Sequence, residues 1–255
     1  MKNNIGKNVV LGKNVHIHPT ALIYDNVVLH DNVFIGAYCI IGEPSGGYYD
    51  DPENYVIKKT EIGKNSIVRS HSVIYEDVII GDNFQTGHHV TIREKTKIGT
   101  RCSIGTSTDI QDKVEIGNYV RIHSNVFMGQ LTTIKDYAWI FPGVIMTNDK
   151  YPPMNELVGC TIEEYALVAA GSILLPGINV GKNSLVAAGT IVSKDVLEMT
   201  AVRSVLNKTS KSITELVSDE GEKVYPWKDN LKDFRGYPWQ ISDDEANIRE
   251  KKKLL

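Results

Sequence analysis

Cysteine is scarce in this sequence, and long apolar segments are missing. Among 255 residues there are three cysteines, Cys39, Cys102 and Cys160. An odd number without a close pair argues against a disulfide framework and suits a reducing cytoplasm, so we expect a cytoplasmic protein. No apolar run approaches the roughly 20 residues that a membrane-spanning helix needs, and residues 1–20 lack the apolar segment of a signal peptide.

An excess of positive charge is also missing. The formal net charge is −3 at pH 7, and the sequence pI is near 6.2. This balance argues against nucleic acid or an anionic membrane as the main partner. It is typical of a soluble, mildly acidic protein.

What the sequence does contain is an aliphatic residue at almost every sixth position, in three runs separated by two interruptions. The first run is Ile5, Leu11, Ile17, Ile23, Leu29, Ile35 and Ile41. The second run is Ile62, Val68, Ile74, Ile80, Thr86, Ile92, Ile98, Ile104, Ile110, Ile116, Ile122, Met128, Ile134, Ile140 and Met146. The third run is Ile162, Val168, Leu174, Val180, Val186 and Val192. A fixed short period predicts a stacked repeat, in which each unit buries its apolar face against its neighbours.

The other positions of the six-residue unit agree with short strands and sharp corners. The fifth position is small or β-branched, and Cys39 and Cys102 occupy it as small core residues. Positions five and one lie two residues apart, so in a strand both side chains point inward. Positions two to four are rich in Gly, Asp, Asn and Lys, which tolerate a sharp corner. An amphipathic helix is excluded because six is a poor multiple of 3.6 and glycine recurs too often.

Over residues 5–197 this pattern resembles the hexapeptide-repeat family. Members of that family fold as a left-handed parallel β-helix of triangular cross-section, with three hexads in each 18-residue coil. The resemblance implies an all-β fold of about nine coils. The left hand comes from the resemblance, because it breaks the usual handedness of parallel crossovers.

The expected organisation is a β-helix domain and a C-terminal extension. The β-helix covers residues 1–197 and carries two extruded loops, at 43–61 and 147–161. Residues 198–255 lack the period, contain Tyr-Pro-Trp twice, and are expected to be partly helical or irregular. No nucleotide-binding domain is expected before the repeats.

The 18-residue coil converts sequence into surface columns, because residues 18 apart stack about 4.8 Å from each other. His123 is the strongest candidate for catalysis, since a neutral imidazole can take a proton from an attacking amine or hydroxyl near pH 7. Asn125 lies on the same corner and is the second candidate. A backbone N–H near Gly143 or Asn125 is expected to meet the oxyanion of the tetrahedral intermediate. An outward histidine that is merely solvated is the alternative.

Substrate contacts are expected from two other groups of residues. The histidine pair His88 and His89 lies at a corner, where it could contact substrate or stabilise a trimer seam, and Glu94 could act across that seam. Tyr48 or Tyr49 could stack on a thymine, with Gly46 and Gly47 leaving room for phosphate. A flexible surface loop is the alternative.

The later coils are expected to hold the pantetheine arm and phosphates of coenzyme A. Stacked Ala-Ala-Gly corners leave room for a thin ligand, and cations lie nearby in the sequence. The residues assigned to this site are Gly143, Ala170, Gly171, Ala188, Gly189, Lys182, Lys194 and Arg203, with Lys208 close by. Small residues that simply suit tight coils are the alternative.

Within the family, two stretches resemble N-acetyltransferases of dTDP-linked 3-amino-3,6-dideoxyhexoses. They are Gly-His-His-Val-Thr-Ile-Arg-Glu at 87–94 and Thr-Asn-Asp-Lys-Tyr-Pro at 147–152, which adds Asn148 and Asp149 to the expected substrate contacts. The resemblance implies a homotrimer that joins acetyl-CoA and the sugar nucleotide in clefts between subunits, in cell-envelope glycan synthesis. It implies no tightly bound cofactor and no metal.

Four alternatives remain at this stage. The acceptor could be a dTDP-4-amino-4,6-dideoxyhexose or a UDP-amino sugar, or a hydroxyl acceptor in an O-acetyltransferase or a lipid-A-type acyltransferase. A zinc hydratase of the γ-carbonic anhydrase kind needs histidines five residues apart, but Asn118 and Met128 flank His123 at that spacing. A non-catalytic scaffold is the last alternative, and acyl-CoA binding would decide against it.

Overall fold

The computed structural model describes residues 4–204, 217–218 and 220–223. In this part of the chain, short strands form three parallel sheets, and up to residue 192 every third strand joins the same sheet. The expected all-β parallel β-helix is confirmed, with nine or ten strands in each sheet and a form consistent with the left hand. No helix among these residues is long and apolar enough to cross a membrane.

The strands have the following bounds. The first sheet contains Val10–Leu11 (β1), Val27–Leu29 (β4), Thr60–Ile62 (β7), Ile79–Ile80 (β10), Lys97–Ile98 (β13), Glu115–Ile116 (β16), Thr133–Ile134 (β19), Thr161–Ile162 (β22) and Asn179–Val180 (β25). The second sheet contains His16–Ile17 (β2), Phe34–Ile35 (β5), Ile67–Val68 (β8), Gln85–Thr86 (β11), Ser103–Ile104 (β14), Arg121–Ile122 (β17), Trp139–Ile140 (β20), Leu167–Val168 (β23), Leu185–Val186 (β26) and Ala201–Val202 (β28). The third sheet contains Leu22–Ile23 (β3), Ile40–Glu43 (β6), Val73–Tyr75 (β9), Thr91–Ile92 (β12), Asp109–Ile110 (β15), Phe127–Met128 (β18), Ile145–Met146 (β21), Ile173–Leu174 (β24) and Ile191–Val192 (β27). The described helix is Gly47–Asp50 (α1).

The core follows the six-residue period. The in-phase residues from Ile23 onward are buried, and Cys39, Cys102 and Cys160 are buried beside them as free thiols. Burying one such aliphatic side chain contributes roughly 1.5–3 kcal/mol, so the ladder of isoleucines dominates the stability of the sheets. Ile5 and Leu11 are 41% and 45% exposed, because the first coil has a neighbour on one side only.

The register shows where the chain leaves the coils. Partners on adjacent strands are 18 residues apart, as in Thr86 with Ile104. The separation rises to 33 between Ile35 and Val68 and to 28 between Ile134 and Ile162. The two excursions run from Glu43 to Thr60 and from Met146 to Thr161, and the first contains α1.

Each corner needs one residue with a left-handed backbone. The fourth position of the hexad has φ between 54° and 76° at most corners, where asparagine or glycine is frequent. These residues tolerate that region best. His71, His89 and Asn125 occupy such positions, with φ of 62°, 55° and 59°. The corner backbone is therefore one reason for the residue type at each of these sites.

The chain divides into two compact units. The first comprises residues 1–148 and 158–205 and contains the three sheets. The second comprises residues 149–157 and 206–255, and in its described part Val217 and Lys223 form an antiparallel bridge. The predicted division at residue 198 stays a prediction, although β28 adds a rung beyond it. Lys208 and the Tyr-Pro-Trp motifs at 225–227 and 237–239 lie outside the described residues.

Candidate functional site

Most of the predicted site residues lie along one edge of the β-helix. We call this the histidine edge, the corners by which the second sheet passes to the third: 69–71, 87–89, 105–107, 123–125, 141–143, 169–171 and 187–189. It contains the histidine pair, His123, Asn125 and every small residue that was assigned to coenzyme A. Five separate hexads therefore contribute to one continuous edge, as the 18-residue period predicts.

His123 lies halfway along this edge. Its imidazole stacks on the ring of Phe141 with centroids 5.0 Å apart and planes 11° apart, and Trp139 is tilted beside it at 6.4 Å. Its side chain is half-buried, and neither ring nitrogen has a hydrogen-bond partner among the described residues. The backbone oxygen accepts a hydrogen bond from Thr108 Oγ1 at 2.9 Å, which fixes the corner. The ring is thus held by packing while both nitrogens stay available for a substrate.

The histidine pair is more exposed and has partners of its own. Ser70 Oγ and His88 Nδ1 are 2.8 Å apart, so they share a hydrogen bond. The His89 ring stacks on His71 at 4.7 Å, and His71 stacks on Tyr38 at 5.0 Å. These contacts give both histidines a role in the ladder of the edge, and neither ring contacts His123 in this chain.

The backbone amides at the edge narrow one expectation, that of an oxyanion donor near Gly143 or Asn125. The amide of Gly143 donates to Ser124 O at 3.1 Å, and the amide of Asn125 donates to Thr106 O at 2.9 Å. Both are therefore occupied by rungs between coils and cannot serve as free oxyanion donors. The amide of Ser124 has no acceptor among the described residues, and it lies between His123 and Asn125. Ser124 was missed because the sequence does not show which corner amides the rungs leave unused.

The later part of the edge is open, as expected for a thin ligand. A Cβ added to Gly171 or Gly189 would meet nothing within 4 Å, and Ala170 and Ala188 are exposed. Arg203 follows β28 and continues this edge, where it is exposed.

Two predicted coenzyme A contacts lie elsewhere, which corrects the sequence-based grouping. Lys182 lies where the first sheet passes to the second and forms an ion pair with Glu164, which raises the pKa of the lysine. Lys194 lies where the third sheet passes to the first, and it is exposed. They were grouped by distance in sequence, but the corner on which a residue lies depends on its position within the 18-residue coil.

Two of the remaining substrate candidates, Glu94 and Asn148, lie on a second edge. We call it the acidic edge, the corners by which the third sheet passes to the first: 42–44, 75–77, 93–95, 111–113 and 129–131, with 147–148. Glu94 accepts hydrogen bonds there from Arg93 at 2.8 and 3.1 Å, so its charge is paired. Asn148 belongs to the first unit and is half-buried at this edge. Asp149 belongs to the second unit, where it accepts hydrogen bonds from the amide of Met154.

Tyr48 and Tyr49 are in α1, within the first loop. The Tyr49 hydroxyl donates to Glu43 at 2.7 Å, and this hydrogen bond raises the pKa of Tyr49 to about 12. The Tyr48 ring meets Tyr49 and Tyr55 edge to face, at 5.3 and 5.9 Å. The Tyr49 ring is 66% exposed and is the one of the pair that is open to a stacking ligand.

Glu76 fastens this loop to the coils, and sequence reasoning gave it no role. Its carboxylate is 1% exposed and accepts hydrogen bonds from the Tyr55 hydroxyl, from Ser45 through Oγ at 2.7 Å and N at 3.0 Å, and from the Lys58 amide at 2.6 Å. Burial raises the pKa of a carboxyl, but these hydrogen bonds outweigh it, so the pKa of Glu76 lies below its ordinary value. The column that contains Glu76, Glu94 and Asp112 was visible in the sequence, but the burial of Glu76 under the loop was not.

Two adjoining depressions lie on the second sheet, beside the histidine edge. The first has a volume of about 180 Å³ and reaches from Arg69 past Gly87 and Gly105 to His123 and Ser124. The second has a volume of about 420 Å³ and is bordered by Arg101 and Tyr119. They share Gln85, Ser103 and Arg121, the outward residues of three successive strands. Sequence reasoning missed Arg101 and Arg121, and among the described residues no three His, Cys, Asp or Glu side chains could hold a metal ion.

Comparisons with known proteins agree with this architecture. The family model of the bacterial transferase hexapeptide (six repeats) matches residues 5–43, and that of the hexapeptide repeat of succinyl-transferase matches residues 158–194. A UDP-N-acetylglucosamine acyltransferase structure from Arabidopsis has a TM-score of 0.55 at 16% identity, covering 78% of this chain and 69% of that one. At that identity the likeness shows the fold alone.

Relatives in sequence match shorter segments. The 2,3,4,5-tetrahydropyridine-2,6-dicarboxylate N-acetyltransferase of Clostridium perfringens is 34% identical over 80 residues, which are 31% of this chain and 33% of that protein. The galactoside O-acetyltransferase of Lactococcus lactis is 51% identical over 35 residues, 14% of this chain and 17% of that protein. The chain thus spans about a third or less of the length of these relatives. The six-residue period continues between the two segments that match hexapeptide-repeat models, and the strands follow it through both.

Proposed function

We propose that this protein is an acetyl-CoA-dependent N-acetyltransferase that acts on the amino group of a dTDP-linked 3-amino-3,6-dideoxyhexose. The observation that carries the proposal is the position of His123. It lies between the arginine-bordered depression toward the N-terminal coils and the open small-residue corners toward the C-terminal coils. On this one edge the imidazole of His123 lies between a polar region for the acceptor and a narrow region for the acyl donor. The two relatives described above are acetyltransferases by name, which supports the reaction class.

The chemistry is direct transfer. The amine nitrogen attacks the thioester carbonyl, the new C–N bond forms, and the C–S bond breaks. A free nitrogen of His123 accepts the proton that the amine loses and delivers it to the leaving sulfur. The Ser124 amide, which no rung uses, is positioned on the same corner to donate to the oxyanion. Holding two substrates on one edge adds the gain from orientation.

The donor occupies the later corners. Pantetheine runs along Gly143, Ala170, Gly171, Ala188 and Gly189, where side chains leave the backbone accessible. Arg203 continues this edge and is available to the phosphates of coenzyme A. Lys182 and Lys194 reach the same donor only from other edges, so in this proposal they act on a neighbouring copy.

The assembly is a homotrimer with active sites between subunits. In one chain the histidine edge and the acidic edge are separate corners, so His88, His89 and His123 do not meet Glu94, Asn148 or the loop tyrosines. Three copies placed side by side would bring the histidine edge of one against the acidic edge of the next. In this proposal Tyr48, Tyr49 and Asn148 of one copy contact the acceptor that is bound at the histidine edge of the next. Static light scattering of the purified chain measures the stoichiometry directly.

The proposal is tested by thiol release from acetyl-CoA, followed with a disulfide dye. The acceptors are dTDP- and UDP-linked sugars with an amino or a hydroxyl group at C3 or C4. Burial raises the pKa of Cys102 to about 11 and that of Cys160 to about 12, so the native protein contributes little background. Release with one amino sugar and not with its hydroxyl counterpart supports the proposal. Release with the hydroxyl sugar supports an O-acetyltransferase, which the Lactococcus lactis relative favours.

A further inference from the structure

The second sheet carries a cluster of arginines that no acid in the described part of the chain neutralises. We call it the arginine patch, and it consists of Arg69, Arg101 and Arg121 around the two depressions. No Asp or Glu lines either depression, and none forms an ion pair with these arginines among the described residues. The whole chain has a net charge of −3, so a local excess of three positive charges departs from the general balance.

The guanidinium groups are held in place by neutral partners. Arg69 donates to Thr86 O and lies 3.5 Å from Gln85 Oε1. Arg121 lies over the ring of Trp139 at 5.0 Å, and Arg101 lies over Tyr119 at 6.0 Å. These contacts order the side chains without cancelling their charge. The remaining N–H donors are left for an anion, which guanidinium groups bind with charge-assisted hydrogen bonds.

The outward residues of the first sheet, which has no such arginine cluster, include acids as well as bases. Its outward column reads Glu61, Ile79, Lys97 and Glu115, and Lys97 Nζ lies 3.9 Å from Glu115 Oε1. The corresponding column of the second sheet has Gln85 and Ser103 before Arg121. Unpaired like charges repel one another, so leaving three arginines together costs stability unless a ligand offsets it.

The distance between the guanidinium groups of Arg69 and Arg121 fits a diphosphate. Arg69 and Arg121 are three coils apart, and Arg69 leans one coil toward the other, which leaves a gap of about two coils or ~10 Å. A single phosphate cannot contact both guanidinium groups across this gap, whereas two linked phosphoryl groups can. The small corners Gly87 and Gly105 form the floor between them, and His123 is at the far end.

We infer that the arginine patch binds the diphosphate of the acceptor, a deduction that rests on the proposed function for the identity of the ligand. It moves the phosphates away from Gly46 and Gly47, where sequence reasoning placed them. That loop also carries Asp50, Asp51 and Glu53, whose charges would repel a diphosphate. The sugar then extends from the patch toward His123, and the nucleobase remains free to stack on a tyrosine of a neighbouring copy.

The test is calorimetric titration of the full chain with inorganic pyrophosphate at low ionic strength. Wild type is compared with Arg69→Gln, Arg121→Gln and the matched control Lys97→Gln, which removes the same charge from the first sheet. We expect wild type to bind, each arginine variant to raise the Kd by about tenfold or more, and the control to change it by less than about twofold. Arg121→Lys keeps the positive charge but lacks the paired N–H donors of a guanidinium group. Its Kd should lie between those of wild type and Arg121→Gln.

Three results would overturn the inference: no binding by wild type, an unchanged Kd in both arginine variants, or equal weakening in all variants including the control. Titration needs no acyl donor, so it is independent of the proposed reaction. If the protein binds pyrophosphate through the arginines but releases no thiol with any amino sugar, the anion site is supported and the proposed acetyltransferase activity is not. If the protein transfers acetyl groups with wild-type rate and KM after both arginine substitutions, the acetyltransferase activity is supported and the anion site is not.

Discussion

The imidazole of His123 lies flat on the ring of Phe141, 5.0 Å away and 11° from parallel, while both of its nitrogens lack a partner among the described residues. A second histidine–phenylalanine stack, His16 on Phe34 at 4.4 Å and 14°, occurs five strands earlier on the second sheet. The two stacks are alike in geometry but differ in their surroundings. This gives the catalytic proposal a matched control within the same chain.

Removing the imidazole should lower the rate of transfer. We expect His123→Ala to reduce kcat by at least about tenfold, equivalent to ~1.4 kcal/mol, because the amine then has no base to take its proton. His16→Ala should leave kcat within about twofold. Steady-state kinetics at pH 7 measures both. A loss smaller than tenfold for His123→Ala would leave only a positioning role.

Removing the ring beneath the imidazole should have a smaller effect. An aromatic pair contributes about 1 kcal/mol beyond buried area, so Phe141→Ala should lower kcat about fivefold by letting the imidazole move. The KM for acetyl-CoA should change by less than about twofold if only the base is affected. Phe34→Ala is the control. Equal effects of the two substitutions on kcat would show that the stack is purely structural.

Asn125 has two possible roles that a glycine can separate. Its φ of 59° favours glycine or asparagine, so Asn125→Gly should keep the free energy of unfolding within about 1 kcal/mol. If the side-chain amide of Asn125 also contacts the acceptor, as we propose, Asn125→Gly lowers kcat/KM by about tenfold. Urea denaturation and kinetics on the same preparation measure the two quantities. Wild-type kcat/KM in Asn125→Gly would assign the residue to the corner backbone alone.

Filling the open part of the histidine edge should block the donor. Ala188 is exposed at its corner, so Ala188→Leu adds bulk without disturbing the core. We expect the Kd for acetyl-CoA to rise by about tenfold, which is ~1.4 kcal/mol of lost contact. Ala37→Leu makes the same change at the equivalent corner position in an early coil and should leave the Kd unchanged. Calorimetry decides, and an unaffected Kd for Ala188→Leu places coenzyme A elsewhere.

The Glu76 carboxylate should make stability depend on pH. Its pKa is below the ordinary value in the folded protein, so its contribution is fully present above the unfolded value of about 4.3 and is lost as pH falls through the folded pKa. Glu76→Gln should cost about 1–3 kcal/mol at pH 7 by leaving loop donors unmatched. The substitution should also make the free energy of unfolding less dependent on pH below pH 5. Glu115→Gln, an exposed acid, is the control for urea unfolding at several pH values.

The sequence by itself determined the coils. A six-residue period requires strands of the same length at every turn, and inward residues such as Ile74 and Ile92 can be buried only if each coil stacks on the next. The same period is sufficient to place His89, Asn125 and the Ala-Ala-Gly corners in columns. The burial of Cys39 and Cys102 follows from the same phase.

The tertiary structure alone decided which polar groups are free. Hydrogen bonding depends on atoms that meet from different coils, so the occupied amides of Gly143 and Asn125 and the free amide of Ser124 could not be read from residue types. The pairing of Lys182 with Glu164 and the burial of Glu76 under the first loop are of the same kind. Period fixes where each backbone segment lies, whereas side-chain partners depend on directions and distances that only the folded coils define.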